Sequence, residues 1–159
     1  MNDLYGLTEK LIKKLKQKKL TLSSAESCTG GLVASAIVDI PGASDVFMEG
    51  FVTYSNEAKM RSLGVSAGTL KLHGAVSEET AREMAAGACL AANTDAAVST
   101  TGIAGPGGGT KLKPVGLVYI ACALNGSIDV KELHLKGSRT EIRNAAAYEA
   151  LSLLANKLN

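Results

Sequence analysis

Short apolar runs alternate with helical patterns in the first part of the chain, and a hairpin then ends the alternation. Strands are predicted at residues 20–24, 50–55 and 95–101, with helical segments between them. The apolar runs at 116–124 and 128–135 are joined by Asn125-Gly126, a pair typical of tight antiparallel turns. Strands separated by helices pair in parallel, whereas hairpin strands pair antiparallel. We therefore predict an α/β fold, a three-layer α/β/α sandwich with a mixed sheet.

Six helices are expected around these strands. The first has leucines and an isoleucine at helical spacing, with lysines on its other face. Such a helix can anchor to a membrane or a partner, or it can pack on a sheet with its lysines in water. We favour packing, because no bulky aromatic residues accompany the apolar face. The others are predicted at 31–40, 56–63 and 67–72, after Ser77 as an N-cap, and from the capping box Ser138-Arg139-Thr140-Glu141 to about residue 158.

Composition excludes several classes of protein. The chain has 159 residues without a repeat or linker, so we expect one domain over 1–159. A net charge of +2 and 4% aromatic residues argue against a nucleic-acid partner. No apolar run reaches the roughly 18 residues of a membrane span, so we expect no membrane partner. Three cysteines outside any C-x-x-C pattern and two isolated histidines favour a reducing, cytoplasmic setting without a metal site.

The first candidate for chemistry is Ser27, at the turn between the first predicted strand and the next helix. Such a turn can aim a hydroxyl outward while free backbone amides face the same point. Alternatively, Ser27 or Thr29 caps the helix and has no catalytic role. The neighbouring thiol of Cys28 is a second possible nucleophile. A buried structural cysteine is the favoured interpretation, because neither histidine is an obvious partner for it.

Tyr54 and Lys59 form the second candidate. Tyr54 ends a predicted strand and Lys59 lies one turn into the next helix, so both belong at the sheet edge where α/β proteins bind ligands. A neutral lysine can accept a serine proton, but its reference pKa of about 10.4 must first be lowered by burial or nearby positive charge. The alternative is a solvated lysine on a surface helix, with Tyr54 as an aromatic at the edge of the core.

Two further segments suit ligand binding. The glycine-rich stretch that begins at Gly102 matches neither the dinucleotide nor the Walker A template, yet its glycines allow a ligand close to the backbone. It can equally be a flexible connection, although prolines stiffen it. Arg139 and Arg143 lie four residues apart at the start of the last helix, a spacing suited to a phosphate. Pairing with surface acids is the alternative.

Taken in order, these segments resemble one family, the CinA C-terminal domain, whose stand-alone form is nicotinamide-nucleotide amidase. The resemblance covers about residues 5–156. The motifs that carry it are Ala25-Glu26-Ser27-Cys28-Thr29-Gly30-Gly31, the segment 50–59, His73-Gly74-Ala75-Val76-Ser77, Thr101-Gly102-Ile103-Ala104-Gly105-Pro106 and Lys113-Pro114-Val115-Gly116.

The resemblance implies hydrolysis of the carboxamide of nicotinamide mononucleotide, with Ser27 as nucleophile assisted by Lys59 and Tyr54. On that hypothesis, backbone amides of Thr29, Gly30 and Gly31, or of the loop from Gly102 to Gly105, hold the oxyanion, and Arg139 or Arg143 holds the phosphate. The partner is then a small-molecule substrate, and no metal or redox cofactor is required. We also expect a homo-oligomer. A non-catalytic nucleotide-binding module and a hydrolase with Cys28 as nucleophile are the alternatives.

Overall fold

The computed structural model describes residues 2–159 and contains one five-stranded sheet between two layers of helices. The strands are β1 (Leu22–Glu26), β2 (Phe47–Val52), β3 (Ala96–Gly102), β4 (Leu117–Leu124) and β5 (Ser127–His134). The helices are α1 (Leu4–Lys18), α2 (Leu32–Val38), α3 (Asn56–Leu63), α4 (Ala67–His73), α5 (Glu78–Ala92) and α6 (Arg139–Lys157), with a 3-10 turn at Ala43–Asp45. The strand order is β2-β1-β3-β4-β5. Strand β1 pairs in parallel with β2 and β3, and the hairpin strands pair antiparallel. The predicted mixed three-layer sandwich is confirmed.

Side chains that alternate along the strands divide the interior into two cores. On β4, Ile120 and Cys122 point into the larger core, which α1, α2 and α6 cover. Ala121 and Ala123 point the other way, onto the small residues of α5. Helix α1 contributes its leucines and isoleucine to the larger core, so it packs on the protein as favoured above. Within residues 2–159, no helix combines the length and apolar character needed to cross a bilayer.

Helix α5 packs very closely on α3. A Cβ added to Gly87 of α5 would lie 1.9 Å from the carbonyl oxygen of Leu63, at the end of α3. Any side chain at Gly87 would therefore push the two helices apart. The contact sets the distance between α5, which lies on the sheet, and α3, which carries Lys59.

Two strands differ from their predicted bounds by two residues or more, and the other three differ by one residue. The first strand, expected at 20–24, is Leu22–Glu26, because Leu20 still belongs to the end of α1, where its N–H donates to the carbonyl of Leu15 (3.0 Å). The second, expected at 50–55, is Phe47–Val52 and pairs with β1 up to Glu26. Strand β1 thus ends immediately before Ser27.

Candidate active site

The carboxyl ends of β1, β2 and β3 meet at one edge of the sheet, where a cleft of about 290 Å³ opens. This is the edge at which open α/β sheets bind ligands. Six predicted site residues line the cleft, and they come from the turns after β1 and β2, the end of β3 and the loop that follows it, and the helices α3 and α6: Ser27, Tyr54, Gly102, Gly105, Lys59 and Arg139. The topology therefore brings together residues that are far apart in the chain.

Lys59 points from α3 back under the end of β1. The helix starts after Ser55, whose side chain accepts a hydrogen bond from the N–H of Ala58 (3.1 Å), and Lys59 follows one turn into it. Lys59 Nζ lies 3.1 Å from Ser27 Oγ and donates to the carbonyl of Thr53 at 2.8 Å. Only 1% of Lys59 is exposed, so the solvated-lysine interpretation does not apply.

Burial controls the charge of Lys59. Removal from water disfavours the ammonium form and lowers the pKa of Lys59 below its ordinary value. Among residues 2–159, no carboxylate forms an ion pair with its Nζ that would restore the charge. A neutral amine has two N–H donors and one lone pair. It can keep its bond to the Thr53 carbonyl and accept the hydroxyl proton of Ser27.

A buried carboxylate, Glu26, caps helix α2. Its Oε1 accepts from the N–H of Val33 (2.8 Å) and from the hydroxyl of Thr29 (2.6 Å), and its Oε2 accepts from the N–H of Ala34 (3.1 Å). The interpretation of Ser27 or Thr29 as the cap is therefore wrong: the N-cap position is Gly31 and the capping atoms belong to Glu26. Glu26 reaches the helix from the end of β1, beneath the turn.

Sequence reasoning missed Glu26. It is the one charged residue in a strand whose five residues are all buried. A carboxylate is almost never fully buried unless its oxygens have partners. A charged residue at the end of a strand of small and apolar residues is therefore the sequence signal that could have identified Glu26 as a buried carboxylate with specific partners.

The remaining predicted binding residues shape the turn and do not line the cleft. Gly30 and Gly31 have φ of +59° and +106°, the left-handed conformations that the turn requires. The hydroxyl of Thr29 pairs with Glu26 and with Thr100 Oγ1 (2.7 Å) inside the protein. Arg143 donates through Nε to the carbonyl of Cys28 (3.0 Å) and through Nη2 to that of Thr29 (2.9 Å). These four residues lie behind Ser27.

Arg139 and Tyr54 stand together at the mouth of the cleft. Arg139 Nη1 donates to the carbonyl of Gly105 (2.7 Å), and Nη2 donates to Tyr54 Oη (3.3 Å). Tyr54 is 65% exposed and makes no hydrogen bond to Lys59. The carbonyl of Thr53, next to Tyr54 in the chain, is what holds the lysine. Gly102 serves close packing, because a Cβ there would lie 2.6 Å from Val118 Cγ2.

Cys28 lines the cleft beside Ser27 but is poorly suited to be a nucleophile. Burial raises the pKa of its thiol to about 11, so the thiol is protonated at neutral pH. The thiolate is the reactive form of cysteine. Lys59 Nζ contacts Ser27 Oγ and forms no hydrogen bond with this thiol, so the geometry favours the hydroxyl of Ser27.

Backbone amides around the cleft differ in whether they are free to bind an oxyanion. The N–H of Gly30 donates to the carbonyl of Ser27 (3.0 Å), and that of Ile103 donates to the carbonyl of Leu117 (2.9 Å). Within the described residues, the amides of Cys28 and Ala104 have no such acceptor, and both residues line the cleft. Those two amides, like that of Gly105, which also lines the cleft, are therefore available to a substrate oxygen.

A family model and similar sequences point to the same protein family. The family model for the CinA C-terminal domain matches residues 4–158. The chain is 53% identical over 156 residues to a putative competence-damage inducible protein of Alkaliphilus oremlandii, covering 98% of this chain and 38% of that protein. It is 56% identical over 160 residues to a CinA-like protein of Kosmotoga olearia, covering 98% and 39%. The chain thus spans less than half the length of these relatives.

Solved structures agree with the sequence relatives. The competence/damage inducible protein of Agrobacterium tumefaciens superposes with a TM-score of 0.95 at 46% identity, covering 100% of this chain and 97% of that one. A competence or damage-inducible protein of Enterobacter asburiae superposes with a TM-score of 0.96 at 35% identity, with 100% of both chains covered. Because the family model matches almost the whole length of this chain, the chain belongs to the CinA C-terminal domain family.

Proposed function

We propose that this chain is an amidohydrolase that converts the carboxamide of nicotinamide mononucleotide to the carboxylate, releasing ammonia. Ser27 is the nucleophile and Lys59 its general base. The observation that carries the proposal is the 3.1 Å contact between the buried Lys59 Nζ and Ser27 Oγ on the wall of the cleft. A hydroxyl paired with a neutral base is the arrangement that acyl transfer requires. The choice of nucleotide rests on the family resemblance.

The first half of the reaction forms an ester on Ser27. Lys59 Nζ takes the hydroxyl proton while Oγ attacks the carboxamide carbon. The negative charge that develops on the substrate oxygen is stabilised by the amides of Cys28 and Ala104. One such donor is worth about 3 kcal/mol of barrier in enzymes of known mechanism. The C–N bond then breaks, and the proton on Lys59 passes to the leaving nitrogen as ammonia departs.

The second half regenerates the serine. Water attacks the ester carbon, Lys59 accepts its proton, and the acid is released when that proton returns to Ser27 Oγ. The carbonyl of Thr53 keeps the amine in place through both halves, since it accepts one N–H whether the amine is neutral or charged. Lys59 therefore acts as base and acid in turn without leaving its position.

The cleft has features that suit a pyridine nucleotide. Its volume of about 290 Å³ is near the lower end of the range for small-molecule pockets. Ala75, Val76 and Ile103 offer apolar surface for a flat ring near Ser27. Arg139 at the mouth is the cation that can meet a phosphate. Tyr54 orients that guanidinium, and this is the role we assign to it. The reaction belongs to pyridine-nucleotide recycling.

Ammonia release from nicotinamide mononucleotide by the purified chain tests the proposal. We expect Ser27→Ala and Lys59→Met each to lower kcat by at least about 1,000-fold, because each removes half of the reacting pair. Ser44→Ala and Lys71→Met, on exposed residues away from the cleft, are the matched controls and should retain full rates.

Three results would contradict parts of the proposal. A fully active Ser27→Ala would exclude the serine nucleophile. Tight binding of the nucleotide by the native chain without any ammonia would favour a non-catalytic nucleotide-binding module instead. If Lys59→Met raises KM and leaves kcat unchanged, Lys59 is a binding residue and not the base.

A further inference from the structure

We propose that Arg143 is a positioning residue for Ser27 and does not bind the phosphate of the substrate. Its guanidinium holds the two peptide groups that follow Cys28 and Thr29, and so sets the direction in which the Ser27 turn presents its hydroxyl. The proposal rests on the proposed function, since it requires Ser27 to react.

The contacts of Arg143 are to backbone and lie behind the turn. Its Nε and Nη2 donate to the successive carbonyls of Cys28 and Thr29, at 3.0 and 2.9 Å. The side chain is half-buried and does not line the cleft. Arg139, four residues earlier on the same helix, does line it. The two arginines therefore reach different sides of Ser27, and only Arg139 is placed to meet a substrate.

Peptide planarity turns these two contacts into control of the turn. The carbonyl of one residue and the N–H of the next point in opposite directions in a planar trans peptide. With the Cys28 carbonyl turned toward Arg143, the N–H of Thr29 faces away from it. With the Thr29 carbonyl turned the same way, the N–H of Gly30 is free to donate to the carbonyl of Ser27 (3.0 Å). A guanidinium that binds both carbonyls thus fixes both peptide orientations.

Opposite charges hold the turn from two sides. The carboxylate of Glu26 accepts the hydroxyl of Thr29 from within the protein, and Arg143 binds the carbonyl of the same residue from α6. The turn lies close against the guanidinium: a Cβ on Gly30 would lie 3.2 Å from Arg143 Nη2. The turn is therefore anchored to the end of β1 and to α6 at once.

A reagent without phosphate separates positioning from phosphate binding. With p-nitrophenyl acetate, Ser27 Oγ attacks the ester carbon, Lys59 takes the proton, p-nitrophenolate leaves, and acetyl-Ser27 remains. We expect Arg143→Met to lower the second-order rate constant of this acetylation by about 10- to 100-fold, because small displacements of a reacting atom cost that much. Arg143→Lys should lose less, since a single ammonium can still bind one carbonyl. Methylguanidinium should restore part of the rate to Arg143→Met.

The control is Arg82→Met. Arg82 also donates to a backbone carbonyl, that of Ile128 at 3.1 Å, but from the exposed surface of α5. Its loss should leave the acetylation rate unchanged. Mass spectrometry of the peptide that contains Ser27 confirms the acetylated residue, and circular dichroism confirms that each variant is folded.

Three outcomes would overturn the proposal. Acetylation of Arg143→Met at the native rate, with a raised KM for nicotinamide mononucleotide, would make Arg143 a phosphate ligand. A loss of rate that methylguanidinium does not restore would make its role merely structural. If Arg143→Met fails to fold, Arg143→Lys decides, and a native rate there would refute positioning. If p-nitrophenyl acetate does not acetylate Ser27 in the native chain, the assignment of Ser27 as the nucleophile is refuted instead. That result requires no variant, so it can be distinguished from failure of the Arg143 proposal.

Discussion

Replacing Glu26 by glutamine tests whether a buried carboxylate holds the turn that carries Ser27. Glutamine has the same length, and its amide oxygen can take the place of Oε1, which accepts from Val33 N–H and Thr29 Oγ1. Its amide nitrogen then replaces Oε2 and cannot accept from the N–H of Ala34, now 3.1 Å away. The partly buried N–H of Ala34 then has no acceptor and faces the N–H donors of the glutamine amide.

The expected cost follows from these three hydrogen bonds. Losing the bond from Ala34 costs about 2 kcal/mol, and the other two fall from charge-assisted to neutral strength at about 1 kcal/mol each. An amide is cheaper to bury than a carboxylate, which offsets part of the loss. We therefore expect Glu26→Gln to lower the free energy of unfolding by about 3 kcal/mol. For a chain of this length that corresponds to a fall in Tm of roughly 6–12 °C.

Urea unfolding followed by far-UV circular dichroism measures this change. Glu57→Gln is the matched control: Glu57 is an exposed glutamate in the first turn of α3 and forms no ion pair among residues 2–159, so its replacement should change the free energy of unfolding little. An unfolding free energy for Glu26→Gln within about 0.5 kcal/mol of native would refute the reasoning, since a capping carboxylate with three partners costs more than that to neutralise.

Two further predictions concern the chemistry of the cleft. Because burial lowers the pKa of Lys59 and the neutral amine is the base, kcat/KM should fall as pH decreases through that lowered pKa. A pH–rate profile should place this limb below the ordinary lysine value, and a limb at or above that value would contradict the assignment. Cys28→Ala should keep at least about half of the native kcat, because Lys59 Nζ contacts Ser27 Oγ and forms no hydrogen bond with the Cys28 thiol, whose pKa burial raises to about 11. Loss of turnover in Cys28→Ala with a native circular dichroism spectrum would reopen the cysteine mechanism.

Local patterns sufficed for much of the fold. The Asn125-Gly126 turn, the capping box at Ser138 and the cap at Ser77 depend on residues within four positions of each other, and all are found as predicted. Strand boundaries were less accurate, because a strand begins where its neighbours can pair with it. The residue types at positions 20 and 21 are typical of a strand, but the N–H of Leu20 donates to the carbonyl of Leu15 at the end of α1.

The pair Ser27 and Lys59 was proposed from sequence, but its state depends on tertiary structure. The two residues are 32 positions apart and meet because β1 and β2 are neighbours in a parallel sheet, with Lys59 one turn into α3, the helix that follows β2. Burial without a carboxylate partner lowers the pKa of the lysine, and no local sequence pattern records that burial. The residue type and position of Lys59 could be predicted from the sequence, whereas the lowering of its pKa by burial could not.

What the sequence by itself determined is the alternation of elements, the hairpin and the set of polar residues at one edge of the sheet. Only the tertiary structure decided which partners each of those side chains contacts. Spacing places Arg139 and Arg143 on the same helix face, yet one reaches Gly105 and Tyr54 across the cleft, and the other reaches Cys28, 115 positions away, from behind. Helical periodicity is a property of neighbouring residues, whereas the partners of a side chain depend on how separate elements pack.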